Sequence, residues 1–385
     1  MSPADGGKSA VQLQLQAVVS RLVSGARVPS WWEPLFRSSD NASIFSSTIW
    51  MQTWLDVYGD EFKGQWVHWQ HDGRVVGGCL LVTRITWPWL MPMRSLFLNA
   101  TGQSSRRTPL AEYNDILHLP GFDAQIATDA ARIVREMRWS RFHMLGYQNG
   151  ALVSRLIAQL PLAAVNDTVK KANFADLALI TEVNYESTLS GKVGSHIRRN
   201  RRLYEKEFGV FEVVPARGLD EAMRYFDEMA ALHNARWASK GEEGSFSSAE
   251  VMTFHRQLIG RLWAERSVDL ICARSSAKII GYLYNFILEK KVYVFQTGFV
   301  YEEGSRLSPG LMTHALSIEH YRQKGFAECD FLAGEALYKR SLARHNRSLH
   351  WTVAYRDTWW TRFLLRMHAL RNRARDFFSK EGDQA

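Results

Sequence analysis

Apolar positions recur along the chain at two spacings, and the spacings sort it into elements. Ile49, Trp50, Trp54 and Val57 fall on one face of a helix over 44–58, opened by the start signal Ser46-Ser47. Trp66–Trp69 and Val75–Val82 flank His71-Asp72-Gly73-Arg74, the turn chemistry of a β-hairpin. Helices are expected over 124–137 and 150–160, with a strand over 141–145 between them. The second half repeats the theme. It reads as a helix over 185–208, a strand over 210–214, a helix over 219–237 and a hairpin of 268–273 with 279–288. A strand over 292–299, a helix over 309–322 and strands over 327–332 and 349–355 follow. Residues 1–30 read as a mobile arm with a short helix over Val11–Val23.

The halves share a signature. Arg74-Val75-Val76-Gly77 follows the first hairpin turn and Lys278-Ile279-Ile280-Gly281 the second. A basic residue, two β-branched residues and glycine at the head of a long strand, twice in the same context, point to an internal duplication. Its boundary is expected near Asn166–Phe174. The predicted organisation is an arm (1–30), a first domain (31–165), a second domain (166–356) and a basic amphipathic helix (357–385). A chain of 385 residues is long enough for two domains, and 46% hydrophobic residues supply them with cores.

Composition narrows the function. Cys79, Cys272 and Cys329 lie too far apart for a disulfide framework or a zinc spacing, so they read as buried thiols in a reducing compartment, and no metal site is expected. The start lacks the pattern of a signal peptide, and no apolar run approaches the ~18 residues of a membrane span. The longest, Ile85–Leu98, is broken by Pro88 and Pro92 and charged by Arg94. The expected location is cytoplasmic, with peripheral attachment to the cytoplasmic face of the inner membrane in view.

The net charge of +9 implies a polyanionic partner. The charge concentrates in two segments. Lys192, Arg198, Arg199, Arg201, Arg202 and Lys206 share a helix with the apolar stripe Leu189, Val193, Ile197, Tyr204 and Phe208, a face suited to phosphate. In the second, Trp359, Trp360, Phe363, Leu364, Met367, Leu370, Phe377 and Phe378 accompany Arg362, Arg366, Arg371, Arg373, Arg375 and Lys380, the pattern of a helix lying in an anionic membrane interface.

Four stretches of the second half resemble the CelD-type acyltransferases, a branch of the GNAT superfamily related to the FemAB aminoacyl transferases. They are LSGKVGSHIRRNRRLYEKEF (189–208), LHNARWASKGEEGSF (232–246), RLSPGLMTH (306–314) and DFLAGEALYK (330–339). The resemblance implies an α/β fold of two tandem GNAT-like domains, each a mixed, mainly antiparallel sheet flanked by helices, with the chemistry in the second. It implies an acyl-coenzyme A cosubstrate, with no tightly bound cofactor, whose acyl group lies near Gln296, Thr297 and Gly298. The pyrophosphate would sit at the helix start formed by Arg306, Ser308 and Gly310, with Lys339 nearby. The usual glycine pattern there is altered, Pro309 and Leu311 standing where glycines are common. Carrier-protein and aminoacyl-tRNA donors therefore stay open.

Acyl transfer to an amine needs a base, an oxyanion site and an acid for the leaving thiolate. Tyr338 is the candidate acid. Glu335 is the candidate base, with Asp330 and His233 as rivals. Arg236, Asn99, Glu112, Tyr113, Asp115, Arg198 and Arg202 are candidates for binding the acceptor or its phosphate. The leading expectation is an N-acyltransferase acting on a primary amine, perhaps a lipidic one such as a sphingoid base, at an anionic membrane surface. The alternatives are a FemAB-like transferase using aminoacyl-tRNA and a non-catalytic binding module in envelope or polysaccharide assembly. The sequence leaves the oligomeric state open.

Overall fold

The computed structural model describes residues 15–88, 91–180, 184–302, 307–334 and 336–382. The first half runs Gln16–Arg21 (β1), Trp32–Ser38 (α1), Thr48–Tyr58 (α2), Lys63–His71 (β2), Arg74–Thr86 (β3), Met93–Leu98 (β4), Leu117–His118 (β5), Asp123–Glu136 (α3), Arg141–Gln148 (β6) and Leu152–Ile157 (α4). Leu162–Asp176 (β7) leads to Gly191–Phe208 (α5), Glu212–Pro215 (β8), Leu219–Ala238 (α6), Ala249–Ala264 (α7), Val268–Arg274 (β9), Ile279–Leu288 (β10) and Lys291–Phe299 (β11). Pro309–Gln323 (α8), Glu328–Ala333 (β12), Leu337–Leu342 (α9), His345–Arg356 (β13) and Trp359–Gly382 (α10) complete the chain.

The repeated signature has a structural meaning. In the β2–β3 hairpin the register steps from Gln70↔Val75 to Trp69↔Gly77, so Val76 is an extra residue. In the β9–β10 hairpin it steps from Ile279↔Arg274 to Gly281↔Ala273, so Ile280 is extra in the same way. Each is a β-bulge whose buried β-branched residue precedes a glycine, and bulges bend and twist a strand. Both glycines sit in tight space. A Cβ at Gly77 would stand 2.5 Å from Ile126 Cδ1, and one at Gly281 2.5 Å from Phe299 Cδ1.

The strands form one sheet in the order β1-β2-β3-β4-β6-β13-β7-β12-β11-β10-β9-β8, with β5 on β3. Each half has three antiparallel strands followed, through a helix, by a parallel neighbour. The parallel pairing lasts three residues in both halves, Ser95↔Arg141 to Phe97↔His143 in the first and Lys291↔Glu328 to Tyr293↔Asp330 in the second. Beyond these pairs the strands part, and each half has a wedge-shaped gap in its sheet. The architecture is the tandem arrangement expected.

Two segments differ from expectation. Where a helix in a mobile arm is predicted, residues 16–21 form an edge strand paired with β2 from Gln16↔Gln70 to Arg21↔Gln65. Gln-Ala-Val-Val-Ser-Arg has the β-branched content that a sheet edge favours over an isolated helix. The polar stretch expected as a boundary is β7, the longest strand. It pairs with β13 from Leu162 to Phe174 and with β12 from Ala172 to Asp176. Much of it is solvent-exposed, so it lacks the apolar alternation that betrays a strand, and pairing to both neighbours holds it in place.

The last strand, β13, lies between β6 of the first half and β7. The cores merge as well. Phe45 and Trp50 of the first half pack against Phe254, Phe286 and Phe295 of the second, edge-on in all but the tilted Phe45–Phe295 pair, with centroid separations of 5.1–6.4 Å. Arg261 of α7 donates to Thr53 and pairs with Asp56 on α2. The three cysteines are free and buried.

Candidate active site

The two gaps have different contents. In the first half, the chain between β4 and β5 fills its own gap. Asn99, at φ +56°, pairs through its backbone and side chain with Leu80, and donates from Nδ2 to Asn114 Oδ1 at 2.7 Å and to the Asp115 carbonyl at 2.8 Å. Asn114 in turn donates to the Leu98 carbonyl and, through its backbone, to Gly146. Asp115 accepts from the N–H groups of Leu152 and Val153, both at 3.0 Å, and from Asn41. Its carboxyl is raised above the ordinary range by burial, against the pull of these donors. Asn99 and Asp115 therefore close the first gap and cap α4.

The same loop reaches into the second gap. Glu112 is buried, and its Oε2 accepts from the N–H of Ala333 at the end of β12 at 2.8 Å. Burial raises its carboxyl to about 7, the Ala333 N–H and the nearby Lys339 and Lys170 charges opposing the shift. Tyr113, the next residue, donates to Asp330 Oδ2 at 2.5 Å.

Between β11 and β12 lies a cavity of about 130 Å³ lined by Glu112, Gln296, Thr297, Tyr338 and Lys339, with Phe45 and Leu110 from the first half. β11 bulges at its mouth, where Tyr284↔Gln296 follows Asn285↔Val294 and leaves Phe295 extra. Gly298 is forced by close packing, since a Cβ there would stand 2.4 Å from the Met229 carbonyl of α6. Lys339 Nζ reaches the carbonyls of Ala333 at 2.9 Å and Leu332 at 3.4 Å, holding the end of β12. Burial lowers its pKa, against the attraction of Glu112 and Asp330.

Tyr338 stacks on His314 of α8, centroids 4.5 Å apart and planes within 11°. Burial raises its phenol well above the ordinary range, so it is a protonated donor at neutral pH. His314 is enclosed by Phe299, Phe331 and Tyr338, and its Nε2 is buried without a partner. Burial, and then the Lys339 charge, lowers it to about 3, so the ring is neutral. His314 is not among the candidates that the sequence offers, although it ends the RLSPGLMTH stretch. Its position on the face that α8 turns to the gap is a tertiary property.

The other candidates are dispersed around this gap. Ser308 precedes α8 with Pro309 in the first turn, but its side chain makes no capping bond; its N–H donates to Asn200 Oδ1 on α5 at 3.0 Å. Gly310 faces the Phe299 ring, 3.0 Å from a hypothetical Cβ. Arg198 and Arg202 are exposed on α5. Arg236 is exposed and lies over the Tyr301 ring at 4.6 Å. His233 is buried behind β11, its Nδ1 3.3 Å from the Thr297 carbonyl and its Nε2 accepting from the Ser245 N–H at 3.4 Å. Both ring nitrogens are engaged, and burial lowers its pKa. Asp330 is fully buried and held by Tyr113, the Leu332 N–H and Lys291. Glu335 and Arg306 lie outside the described residues. Among the described residues no cluster of histidine, cysteine and carboxylate is placed to hold a metal.

A sheet whose parallel strands part, with a bulge and a helix start beside the gap, has the arrangement that the resemblance implies. Residues 191–340 match the family model described as the acetyltransferase (GNAT) domain. This segment is similar to a GNAT acetyltransferase domain. The solved structure of FemX is 9% identical, with a TM-score of 0.56, over 89% of this chain and 98% of that one. At that identity the likeness concerns the fold, and it extends over both halves. L-PGS from Bacillus licheniformis (11% identity, TM-score 0.48, 90% of this chain and 97% of that one) and a tandem GNAT protein from the clavulanic acid pathway (12%, 0.45, 90% and 100%) are also similar. A search of curated proteins finds no match. The fold thus brings Gln296, Thr297, Tyr338 and Lys339 of the matched segment to one cavity with Glu112 of the first half.

Proposed function

We propose that the protein is an N-acyltransferase that moves an acyl group from a thioester, acyl-coenzyme A in the leading reading, to a primary amine in the second gap. The observation that carries this reading is a buried carboxyl raised to about 7 and a protonated phenol lining the same cavity between parting strands. The amine nitrogen attacks the thioester carbonyl, and Glu112 takes the proton it sheds. As the C–S bond breaks, Tyr338 protonates the leaving sulfur, giving amide and thiol. β11 loses its β12 neighbour after Tyr293. The open edge around Gln296–Gly298 is where the carbonyl oxygen would be held. The donor phosphates would meet the start of α8 at Ser308 and Gly310, with Arg198 and Arg202 of α5 and Arg236 of α6 as outer charges.

Glu112 is favoured as the base over His233, whose nitrogens are both occupied, and over Asp330, which is tied to Lys291 and Tyr113. The acceptor's remaining bulk fits the cavity of about 510 Å³ that Tyr113 lines between the halves, with Asn41, His118, Asn149, Lys291 and Arg347. This polar lining suits the head of an amphiphilic amine, of which a sphingoid base is one candidate.

Initial rates of coenzyme A release from acetyl-, octanoyl- and palmitoyl-coenzyme A with amine acceptors test it. Tyr338→Phe keeps the ring on His314 and is expected to lower kcat by roughly 10²-fold with KM little changed. An unchanged kcat would remove Tyr338 as the acid, and no amine-dependent release with any donor would contradict the reading.

A further inference from the structure

Among the described residues no helix is long and apolar enough to cross a membrane, yet α10 leaves a large apolar face uncovered. Its inner side is docked: Leu364 is buried with Met93 and Tyr355, and Trp360, Leu365 and Met91 pack around them. On the outer side, Trp359, Phe363, Met367 and Leu370 are 79%, 44%, 51% and 57% exposed. At 3.6 residues per turn these four positions fall within an arc of about 80°. They make one continuous stripe, and a solvated helix would place polar residues there.

The charge beside the stripe has one sign. Residues 359–371 carry Arg362, Arg366 and Arg371 and no carboxylate. All three are exposed, Arg362 being paired with Asp357. Helical spacing puts Arg362 and Arg366 along one border of the stripe and Arg371 along the other. An open recess of about 400 Å³ lies at the start of the helix, between Thr358, Trp359, Arg362, Phe363 and Arg366, with Asp357, the partner of Arg362, at its edge. The β3–β4 hairpin that supports α10 through Met91 and Met93 has the same character at its outer end. Ile85 and Trp87 are 49% and 66% exposed, and residues 84–94 contain Arg84 and Arg94 and no carboxylate.

We infer that the outer face of α10, with the adjoining end of the β3–β4 hairpin, docks on an anionic phospholipid surface. Tryptophan and phenylalanine enter the headgroup region while the arginines meet phosphate, the combination that an interfacial helix uses. A protein partner would have to bring carboxylates to both borders of the stripe, whereas an anionic bilayer supplies negative charge on every side. The inference stands apart from the acyl-transfer reading, because none of these residues lines the gap.

The test is co-sedimentation of the full chain with phosphatidylcholine vesicles, with and without phosphatidylglycerol. The chain should partition onto the phosphatidylglycerol vesicles, and raised salt should weaken the partition. Trp359→Asp with Phe363→Asp, at exposed positions with little folding cost, should lower it by roughly tenfold or more. Arg366→Glu with Arg371→Glu should lower it comparably, while leaving the little binding to pure phosphatidylcholine as it is. Partition unaffected by the aspartate pair, or indifferent to phosphatidylglycerol, would overturn the inference. So would a chain that ignores vesicles but runs as a dimer, made monomeric by the aspartate pair, since the stripe would then be a self-association face.

Discussion

Glu112→Gln is expected to lower kcat/KM for acyl transfer by roughly 10²–10⁴-fold. The amide keeps the size of the side chain and an oxygen for the Ala333 N–H, so the cavity stays built while the base is lost. In the parent protein only the carboxylate form accepts a proton, so the rate should rise with pH through about 7, the value to which burial lifts this group. The variant should lose that ascending limb. Stability should move the other way. Glu112 titrates about 7 in the fold against 4.5 when unburied, so its protonated form is favoured by folding and its ionised form penalised. Its contribution to stability is fully present below 4.5 and is lost as pH rises through 7. Glu112→Gln should therefore melt higher than the parent at about pH 8, the difference vanishing near 4.5. A slower enzyme that melts higher excludes misfolding as the cause. A pH profile unchanged by the substitution would assign the base elsewhere.

Gly146→Ala is expected to impair the second half's chemistry from within the first half. Gly146 sits on β6 at φ +72°, and an added Cβ would stand 2.9 Å from the Ala111 carbonyl and 3.0 Å from Glu112 Cα. Both neighbours are backbone, so the loop itself must move, and alanine pays about 1–2 kcal/mol for the left-handed conformation. With the steric contact included, a loss of about 2–4 kcal/mol in unfolding free energy is expected. The moved segment carries Glu112, so kcat/KM measured well below the melting temperature should fall by roughly tenfold or more. The midpoint of the pH profile should drop toward the ordinary carboxylate range as Glu112 gains solvent. Lost stability with unchanged kcat/KM and pH midpoint would mean that the first half's filled gap does not position the base.

The sequence displays what local chemistry encodes. Hairpin turns, the Pro309 helix start and the amphipathic α10 are legible because turn residues, caps and periodicity act within a few positions. The Arg-Val-Val-Gly and Lys-Ile-Ile-Gly repeats are visible as a duplication, but that each marks a bulge emerges only from the register. β7 stays hidden because its solvent-exposed residues carry no apolar alternation. α7 (Ala249–Ala264) is not among the predicted elements either, although Ser248 caps it and Val251, Phe254, Leu258, Ile259 and Leu262 recur at helical spacing. At the site, Tyr338 lies in a family-like stretch, and Gln296–Gly298 lies on the strand where the resemblance implies the acyl group. Glu112 is picked out as a polar loop residue, yet its partner Ala333 lies 221 positions away, and no periodicity reports such a contact. The histidine of LHNARW invites a catalytic role by its residue type. Folding gives it the Thr297 carbonyl and the Ser245 N–H instead, which fastens the loop after α6 to the back of β11.

The central claim is that the acyl thioester enters the gap between β11 and β12 and leaves the gap of the first half alone. Amide hydrogen exchange with and without saturating octanoyl-coenzyme A tests this directly and needs no acceptor. Slowed exchange over 294–299 and at the start of α8, with 98–101 and 143–148 unchanged, is the predicted result. Protection confined to the first half's gap, or none in the second, would contradict the account.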